Sequence, residues 1–183
     1  MEDRNGRRLN ASTTASLRPY VVKLTTPSRR PKGNIIMPST EVITKTLGGT
    51  NLFAGLDSNT LKRIAAICKV DDHDANEVLY RPGDKVSNIY VLLSGRVSCR
   101  LLSHGQSQSS GSVISSRMVF GWAALIPEHP RRIATAQCIE PSTILAINGD
   151  DLLEILQSEP QAGFLVMRRL TAMIARNFMD RDT

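Results

Sequence analysis

Apolar residues recur at regular spacing only beyond about residue 51 of the 183-residue chain. A first helix is predicted to begin at Asp57 or Ser58, because both residue types cap helices. Apolar positions follow at helical spacing, at Leu61, Ile64, Ala65 and Cys68. The ordered part of the chain is therefore expected to open with a helix.

Short strand-like segments separated by turn residues occupy the middle of the chain. The predicted strands are 77–80, 88–93, 96–102, 113–114, 118–120, 133–139 and 143–147. The polar segment 103–112 is rich in Ser and Gln and is expected to form a solvated hairpin tip. The acidic residues of segment 71–74 are expected to lie in a solvated turn.

Two helices are predicted after the strands. One covers residues 150–156, and the other begins at Ser158-Glu159-Pro160 and runs to about Met179. One helix, seven or eight strands and two helices predict an α+β fold. We expect an antiparallel β-roll flanked by an N-terminal helix and two C-terminal helices, spanning residues 51–183.

Charge is unevenly distributed along the chain. Residues 1–50 carry nine Lys or Arg and three Asp or Glu, whereas residues 51–183 carry fourteen of each, so the net charge of +6 lies in the N-terminal segment. This basic segment has no sustained hydrophobic period and is expected to be disordered. It is either a solvated tail or an arm that carries an address or binds a protein partner. A DNA-binding groove on the folded part is not indicated.

The residue types that carry catalysis or bind metals form no recognisable pattern in this chain. The three cysteines and three histidines are widely spaced, and neither a Walker loop nor a metal-ligand spacing is present. We expect free thiols in a reducing compartment, and no enzymatic activity, metal or cofactor. No apolar segment approaches the length of a membrane span, so a cytoplasmic protein that does not bind membranes is expected.

Four segments in order resemble the cyclic-nucleotide-binding domain family, with its β-roll of the catabolite activator type. They are Phe53-Ala54-Gly55-Leu56, Arg81-Pro82-Gly83-Asp84, the stretch from Ile89 to Val97 and the stretch from Phe120 to Thr135. The last is similar to the phosphate-binding cassette of that family. The resemblance covers about residues 52–179 and implies a non-catalytic regulatory module whose possible ligand is a cyclic nucleotide.

The positions that match the cassette have a physical logic of their own. The candidate ligand-binding residues are Gly121, Trp122, Ala123, Ala124, Leu125, Arg132 and Ile133. Gly121 permits a sharp turn, and the small residues after it let a short helix N-terminus present amides to an anion. Arg132 can add a two-pronged contact to a phosphate, and Arg131 is the alternative for this role.

One cassette position departs from the family pattern. Nucleotide-binding members of the family have a glutamate there that accepts a hydrogen bond from the ribose 2′-hydroxyl, and this chain has Trp122. An indole has one N–H donor and no acceptor. Loss of one charged hydrogen bond costs about 1.5–3 kcal/mol. Ile133 removes a further polar contact, so we expect phosphate binding to be retained and ribose binding to be lost.

Three functions are compatible with this resemblance. The first is a regulatory module with weak or lost nucleotide binding that acts through protein contacts. The second is a working cAMP or cGMP receptor. The third is a transcription regulator, but the helix-turn-helix of such regulators follows the long helix and this sequence ends at Thr183, so we expect that element to be missing.

The final predicted helix carries an apolar stripe at spacings of three and four. Its positions are Phe164, Met167, Thr171, Ile174 and Phe178, widened by Val166, Leu170 and Met173. The stripe either covers the roll of its own chain or joins two copies. For a homodimer we expect contacts through Phe164, Met167, Leu170, Ile174 and Phe178. Ile174 and Arg176 are a candidate lid over a bound ligand.

Overall fold

The computed structural model describes residues 38–101, 111–128 and 131–179, with side chains as far as Arg176. Its helices are α1 Thr40–Gly48, α2 Ser58–Ala66, α3 Gly149–Ser158 and α4 Pro160–Met179, with a short 3-10 helix at Trp122–Leu125. Its strands are β1 Cys68–His73, β2 Val78–Tyr80, β3 Asn88–Ser94, β4 Val97–Leu101, β5 Gly111–Ile114, β6 Val119–Phe120, β7 Ala134–Cys138 and β8 Ser142–Asn148. The described part of the chain is thus a β-roll with helices on both sides of it in sequence.

Polar side chains set the starts of two helices. Asp57 accepts hydrogen bonds from the amides of Asn59 and Thr60, at 2.9 and 3.0 Å, and so caps α2. The side-chain and backbone hydrogen bonds from Thr60 lower the pKa of this carboxyl, which keeps the cap ionised. Asn148 caps α3 in the same way, because its side chain accepts hydrogen bonds from the amides of Asp150 and Asp151.

The strands form two four-stranded antiparallel sheets. Strands are ordered β1-β8-β3-β6 in the first sheet and β2-β7-β4-β5 in the second. Residues alternate between the two faces of β3, where Ile89 and Val91 pack with the helices and Leu92 packs with the second sheet. The first sheet is therefore buried on both faces, and the space between the sheets is the roll interior.

Two clusters of buried residues follow from this layering. The helical core joins the helices to one face of the first sheet, with Phe53, Ile64, Leu145 and Leu152 among its fully buried members. The roll interior is smaller and holds Tyr80, Leu92, Val97, Ile114, Phe120, Ala136, Cys138 and Ile144. The sheet, helix order and antiparallel pairing confirm the predicted α+β roll.

The N-terminal boundary differs from the prediction. Within the segment 1–50, expected to be disordered, α1 is a helix that Ser39 begins and whose Ile43 and Leu47 are buried in the helical core. Two apolar residues four positions apart give only one helical turn of pattern, so the period was too short to recognise. The expectations for residues 1–37 lie outside the described residues.

The strand β1 was also missed. Segment 71–74 is not a turn, because Asp71 and Asp72 pair with Ile144 and Thr143 of β8. Thr143 Oγ1 donates to Asp72 at 2.7 Å. Acidic residues are depleted in strands, but β1 is a sheet edge, where charged side chains are tolerated. The predicted hairpin tip 103–112 lies outside the described residues up to position 110, and Gly111 and Ser112 belong to β5.

Candidate functional site

Gly121 begins the short 3-10 helix and needs to be glycine. Its φ of +73° lies in the left-handed region. A Cβ at this position would lie 2.8 Å from Tyr90 Cδ2 and 3.0 Å from Arg132 Nη1. The sharp turn expected from the sequence is therefore present, and it brings the backbone against two side chains of the roll interior.

The residues after Gly121 fix the 3-10 helix to the helical core. Ala123 and Leu125 are buried, and Trp122 is half-buried with its indole packed against the helical core. Ala124 lies so close to the start of α3 that a Cβ on Gly149 would be 2.3 Å from its carbonyl oxygen. The helix thus carries little freedom to move independently of α3.

Arg132 extends into the roll interior and is buried there, with only 4% of the residue exposed to solvent. Its Nη1 donates to the Gly121 carbonyl at 2.9 Å, and its Nη2 to the Asn88 carbonyl at 2.5 Å. Its Nε is buried and has no hydrogen-bond partner among the described residues. None of the ion pairs in the described part of the chain includes Arg132. An uncompensated guanidinium in a buried space favours an anion.

Two aromatic rings lie beneath this guanidinium, and a third ring stacks on one of them. Its Cζ is 4.3 Å from the centroid of the Tyr80 ring and 5.5 Å from that of Tyr90. Tyr90 stacks on Tyr80 at 6.0 Å and on Phe120 at 5.2 Å. The rings offer their negative faces to the cation, so they stabilise Arg132 in this inward conformation without neutralising its charge.

The other polar groups beside Arg132 are neutral. The Tyr80 hydroxyl and the Cys99 thiol share a hydrogen bond, and burial raises the pKa of both. The pKa of Cys99 rises to about 11, chiefly through burial. Both groups therefore stay protonated near neutral pH, and among these three side chains only the guanidinium is charged.

The two residues on either side of Arg132 were also predicted as candidates, and both differ from it in exposure. Arg131 is exposed and its Nη1 donates to the Gly83 carbonyl at 3.0 Å. Ile133 is also exposed, at 44%. Of the two candidate arginines, Arg132 is the one that is buried, whereas Arg131 and Ile133 are exposed.

The candidate lid and dimer residues of α4 differ in how far they are buried. Leu170 is buried in the helical core of its own chain, so it does not belong to an exposed seam. Phe164 is 70% exposed, and Met167 is half-buried. Ile174 packs on the helical core and Arg176 is exposed, so neither covers the roll interior in this structure. The Phe178 side chain lies outside the described residues.

Sequence reasoning missed the aromatic stack and the Asn88 carbonyl. The available signal was the alternation within β3, which sends Tyr90 and Leu92 to the face opposite Ile89 and Val91. That alternation indicates a strand buried on both faces. It does not reveal which rings contact Arg132, which comes much later in the chain.

A buried arginine and a glycine-initiated 3-10 helix thus lie together at the roll, in the order that the sequence resemblance implied. The family model described as the cyclic nucleotide-binding domain matches residues 71–159. Residues 71–159 are therefore similar to the family that the sequence resemblance implied.

Solved structures agree on the fold. The sensor domain of the transcriptional regulator DNR from Pseudomonas aeruginosa has a TM-score of 0.65 and 23% identity, over 79% of this chain and 96% of that domain. The catabolite activator protein of Thermus thermophilus has a TM-score of 0.60 and 23% identity, over 73% of this chain and 60% of that protein.

One curated relative is the global nitrogen regulator of Nostoc sp. (strain PCC 7120). It is 23% identical over 115 residues, which are 62% of this chain and 52% of the regulator. The match thus spans about half the length of that relative. These relatives are regulators rather than enzymes, which agrees with the expected non-enzymatic role.

The described residues offer neither a metal-binding cluster nor a membrane-spanning helix. No cluster of three or more His, Cys, Asp or Glu side chains in that part of the chain could hold a metal ion. Within the same residues, each helix is too short or too polar to cross a membrane.

Proposed function

We propose that the chain is a non-catalytic regulatory domain in which cyclic-nucleotide binding is weak or lost and whose output passes through protein contacts. The observation that carries the proposal is the environment of Trp122. The position directly after Gly121 holds an indole that packs on the helical core. It supplies no hydrogen-bond acceptor for a sugar hydroxyl.

The state of Arg132 supports the same proposal. Two of its donors are already used by the carbonyls of Gly121 and Asn88. An incoming phosphate has to compete with these hydrogen bonds and with the aromatic rings below the guanidinium. The net gain from the anion is therefore smaller than for an arginine without such partners.

A second candidate function is a working cAMP or cGMP receptor, and the Nε of Arg132 favours it. A buried, positively charged group with an unused donor is costly, and a bound phosphate removes that cost. The two functions differ in affinity, so one titration distinguishes them.

Isothermal titration calorimetry with cAMP and with cGMP tests the proposal. We expect weak or unmeasurable heats, because one charged hydrogen bond is missing and its loss lowers affinity by about ten- to a hundred-fold. Trp122→Glu is expected to strengthen binding, with circular dichroism to confirm that the variant is folded. A dissociation constant in the low micromolar range or tighter for the unmodified chain contradicts the proposal.

The chain offers a matched control for the phosphate contact. Where binding is measurable, Arg132→Ala should remove most of it, whereas Arg131→Ala should leave it nearly unchanged. The two arginines are adjacent and carry the same charge, but only Arg132 enters the roll. Equal losses in the two variants would assign the effect to long-range charge instead of direct contact.

We propose α4 as the surface through which two copies pair. Phe164 at its first turns is largely exposed, and Met167 and Ile174 are half-buried on neighbouring turns. We propose that the protein performs this role in the cytoplasm. The basic segment 1–50 is a candidate arm for a protein partner, and its residues 1–37 lie outside the described residues.

A further inference from the structure

A second positively charged feature lies on the outside of the roll, at the turn after β2. We name it the basic turn surface and define it by Arg81, Lys85, Arg131 and Ile133, all of them exposed. Lys85 and Arg131 are joined by an isolated antiparallel bridge. The amide of Arg132 donates to the Asp84 carbonyl, and the amide of Gly83 donates to the Arg132 carbonyl, so two backbone hydrogen bonds beside the bridge hold the two segments together.

The bridge places two like charges directly opposite each other. Side chains of directly opposed residues in an antiparallel pair point to the same side of the sheet, and like charges there are destabilising. Neither Lys85 nor Arg131 takes part in an ion pair within the described part of the chain. The fold therefore bears an electrostatic cost at this point that an anionic partner would relieve.

The neighbouring acidic side chain is already used. Asp84 Oδ2 accepts from the Arg81 amide at 2.7 Å and so closes the turn. The turn segment and its partner strand expose three cations, Arg81, Lys85 and Arg131, against this one carboxylate. The excess contrasts with residues 51–183 as a whole, which carry equal numbers of acidic and basic residues.

An apolar residue shares this face. Ile133 is 44% exposed and lies two positions after Arg131 in an extended segment, so both point outward. β2 is also an edge of the second sheet, which leaves room beside the turn for an extended chain. Charges flanking an exposed isoleucine at a sheet edge match a peptide better than a free ion.

We infer that the basic turn surface docks an acidic segment of a protein partner, whose carboxylates or phosphates bridge Lys85 and Arg131 while an apolar residue covers Ile133. The inference rests on the proposed function, because it names a surface through which a regulatory domain acts on proteins. It is independent of the roll interior, since Arg131 and Arg132 point to opposite sides of the same segment.

The test is a backbone amide NMR titration of the full chain at low ionic strength, where charge contacts are least screened. The probe is a short synthetic peptide of glutamates around one leucine, with a glutamine version as control. We expect shifts concentrated at Gly83, Lys85 and Arg131 for the glutamate peptide and none there for the control. Absence of these shifts overturns the inference.

Matched variants separate docking from general attraction to a basic chain. Lys85→Gln with Arg131→Gln should weaken the peptide affinity measured at these amides by about tenfold or more. Arg96→Gln with Arg100→Gln removes the same charge from β4 and the residue before it, where Glu140 and Gln137 already accept from the guanidinium groups. It should change the affinity less than about twofold. Equal losses in both pairs overturn the inference.

Lys85→Glu should change stability and peptide binding in opposite directions, which a purely structural role of Lys85 would not do. Replacing a like-charge pair by an opposite pair should raise the melting temperature by about 1–2 °C. The same change should abolish peptide binding. Peptide binding that survives Lys85→Glu overturns the docking surface, as does inorganic phosphate that binds these amides as tightly as the peptide. Tight cAMP binding in calorimetry would instead overturn the proposed function and leave this peptide result standing.

Discussion

Gly121 and Arg132 depend on each other at the level of single side chains. The left-handed turn at Gly121 directs its carbonyl toward the guanidinium, and the absence of a Cβ leaves room for Arg132 and for the Tyr90 ring. The guanidinium in turn bonds the carbonyl that the turn exposes. A substitution at either position therefore disturbs both the backbone turn and the buried cation.

Gly121→Ala should destabilise the domain more than Gly83→Ala. Both glycines have positive φ, +73° and +88°, so each variant carries the backbone cost of a side chain in that region. A Cβ at Gly83 meets nothing within 4 Å, whereas at Gly121 it meets Tyr90 and Arg132. Overpacking of this kind adds about 1–3 kcal/mol to the loss of unfolding free energy. Urea denaturation measures both variants, and equal losses would contradict the steric argument.

Sequence alone predicts Gly121 and Arg132 as candidate site residues but does not predict their surroundings. A glycine before small residues indicates a turn, and an arginine eleven residues later indicates a candidate charge. Neither pattern shows that Arg132 bonds to backbone carbonyls or lies over Tyr80, because those contacts join β2, β3 and the segment before β7. The choice between Arg131 and Arg132 also needed the alternation of the folded strand.

Strong periodic elements were predicted well, and short or polar ones were not. The strands from β2 to β8 and the helices α2, α3 and α4 lie close to their expected positions because turn residues mark their ends. The helix α1 was missed because its apolar pattern is only one turn long. The strand β1 was missed because its acidic residues oppose strand propensity, and pairing with β8 overrides that preference.

Residues before position 50 contribute to stability through α1. Leu47 is fully buried and Ile43 nearly so, both within the helical core. Leu47→Ala should lower the free energy of unfolding by about 2–5 kcal/mol, because it removes buried methyl groups and leaves a cavity. Val42→Ala on the same helix is the control, since Val42 is 53% exposed. Chemical denaturation that finds no difference between them would show that α1 does not pack on the domain.

Within the described part of the chain, arginine side chains tie the two helical regions together. Arg63 of α2 pairs with Glu159 at 2.9 Å and also donates to Ser158, between α3 and α4. Arg169 of α4 donates to the carbonyls of Leu52 and Ala54, in the turn before α2. These contacts fix which face of α4 is turned inward, and Val166 and Leu170 occupy that face.

The orientation of α4 determines which variant tests pairing of two copies. Leu170→Asp would place a charge in the helical core and unfold the domain, so it reports nothing about association. Phe164 is 70% exposed and contacts Arg168, whose Cζ lies 6.0 Å from its ring centroid. Its aromatic surface is therefore available to a second copy at little cost to the fold.

Phe164→Asp should convert a dimer into a folded monomer. A buried aromatic at an interface contributes several kcal/mol, and a charge in its place opposes burial in both copies of a symmetric pair. Light scattering across a concentration series measures the mass, and thermal unfolding shows that the variant keeps its fold. Gln157→Asp, also exposed but on α3 instead of α4, is the matched control and should remain dimeric. A chain that is already monomeric before substitution would rule out pairing through α4, because no association would remain for Phe164 to stabilise.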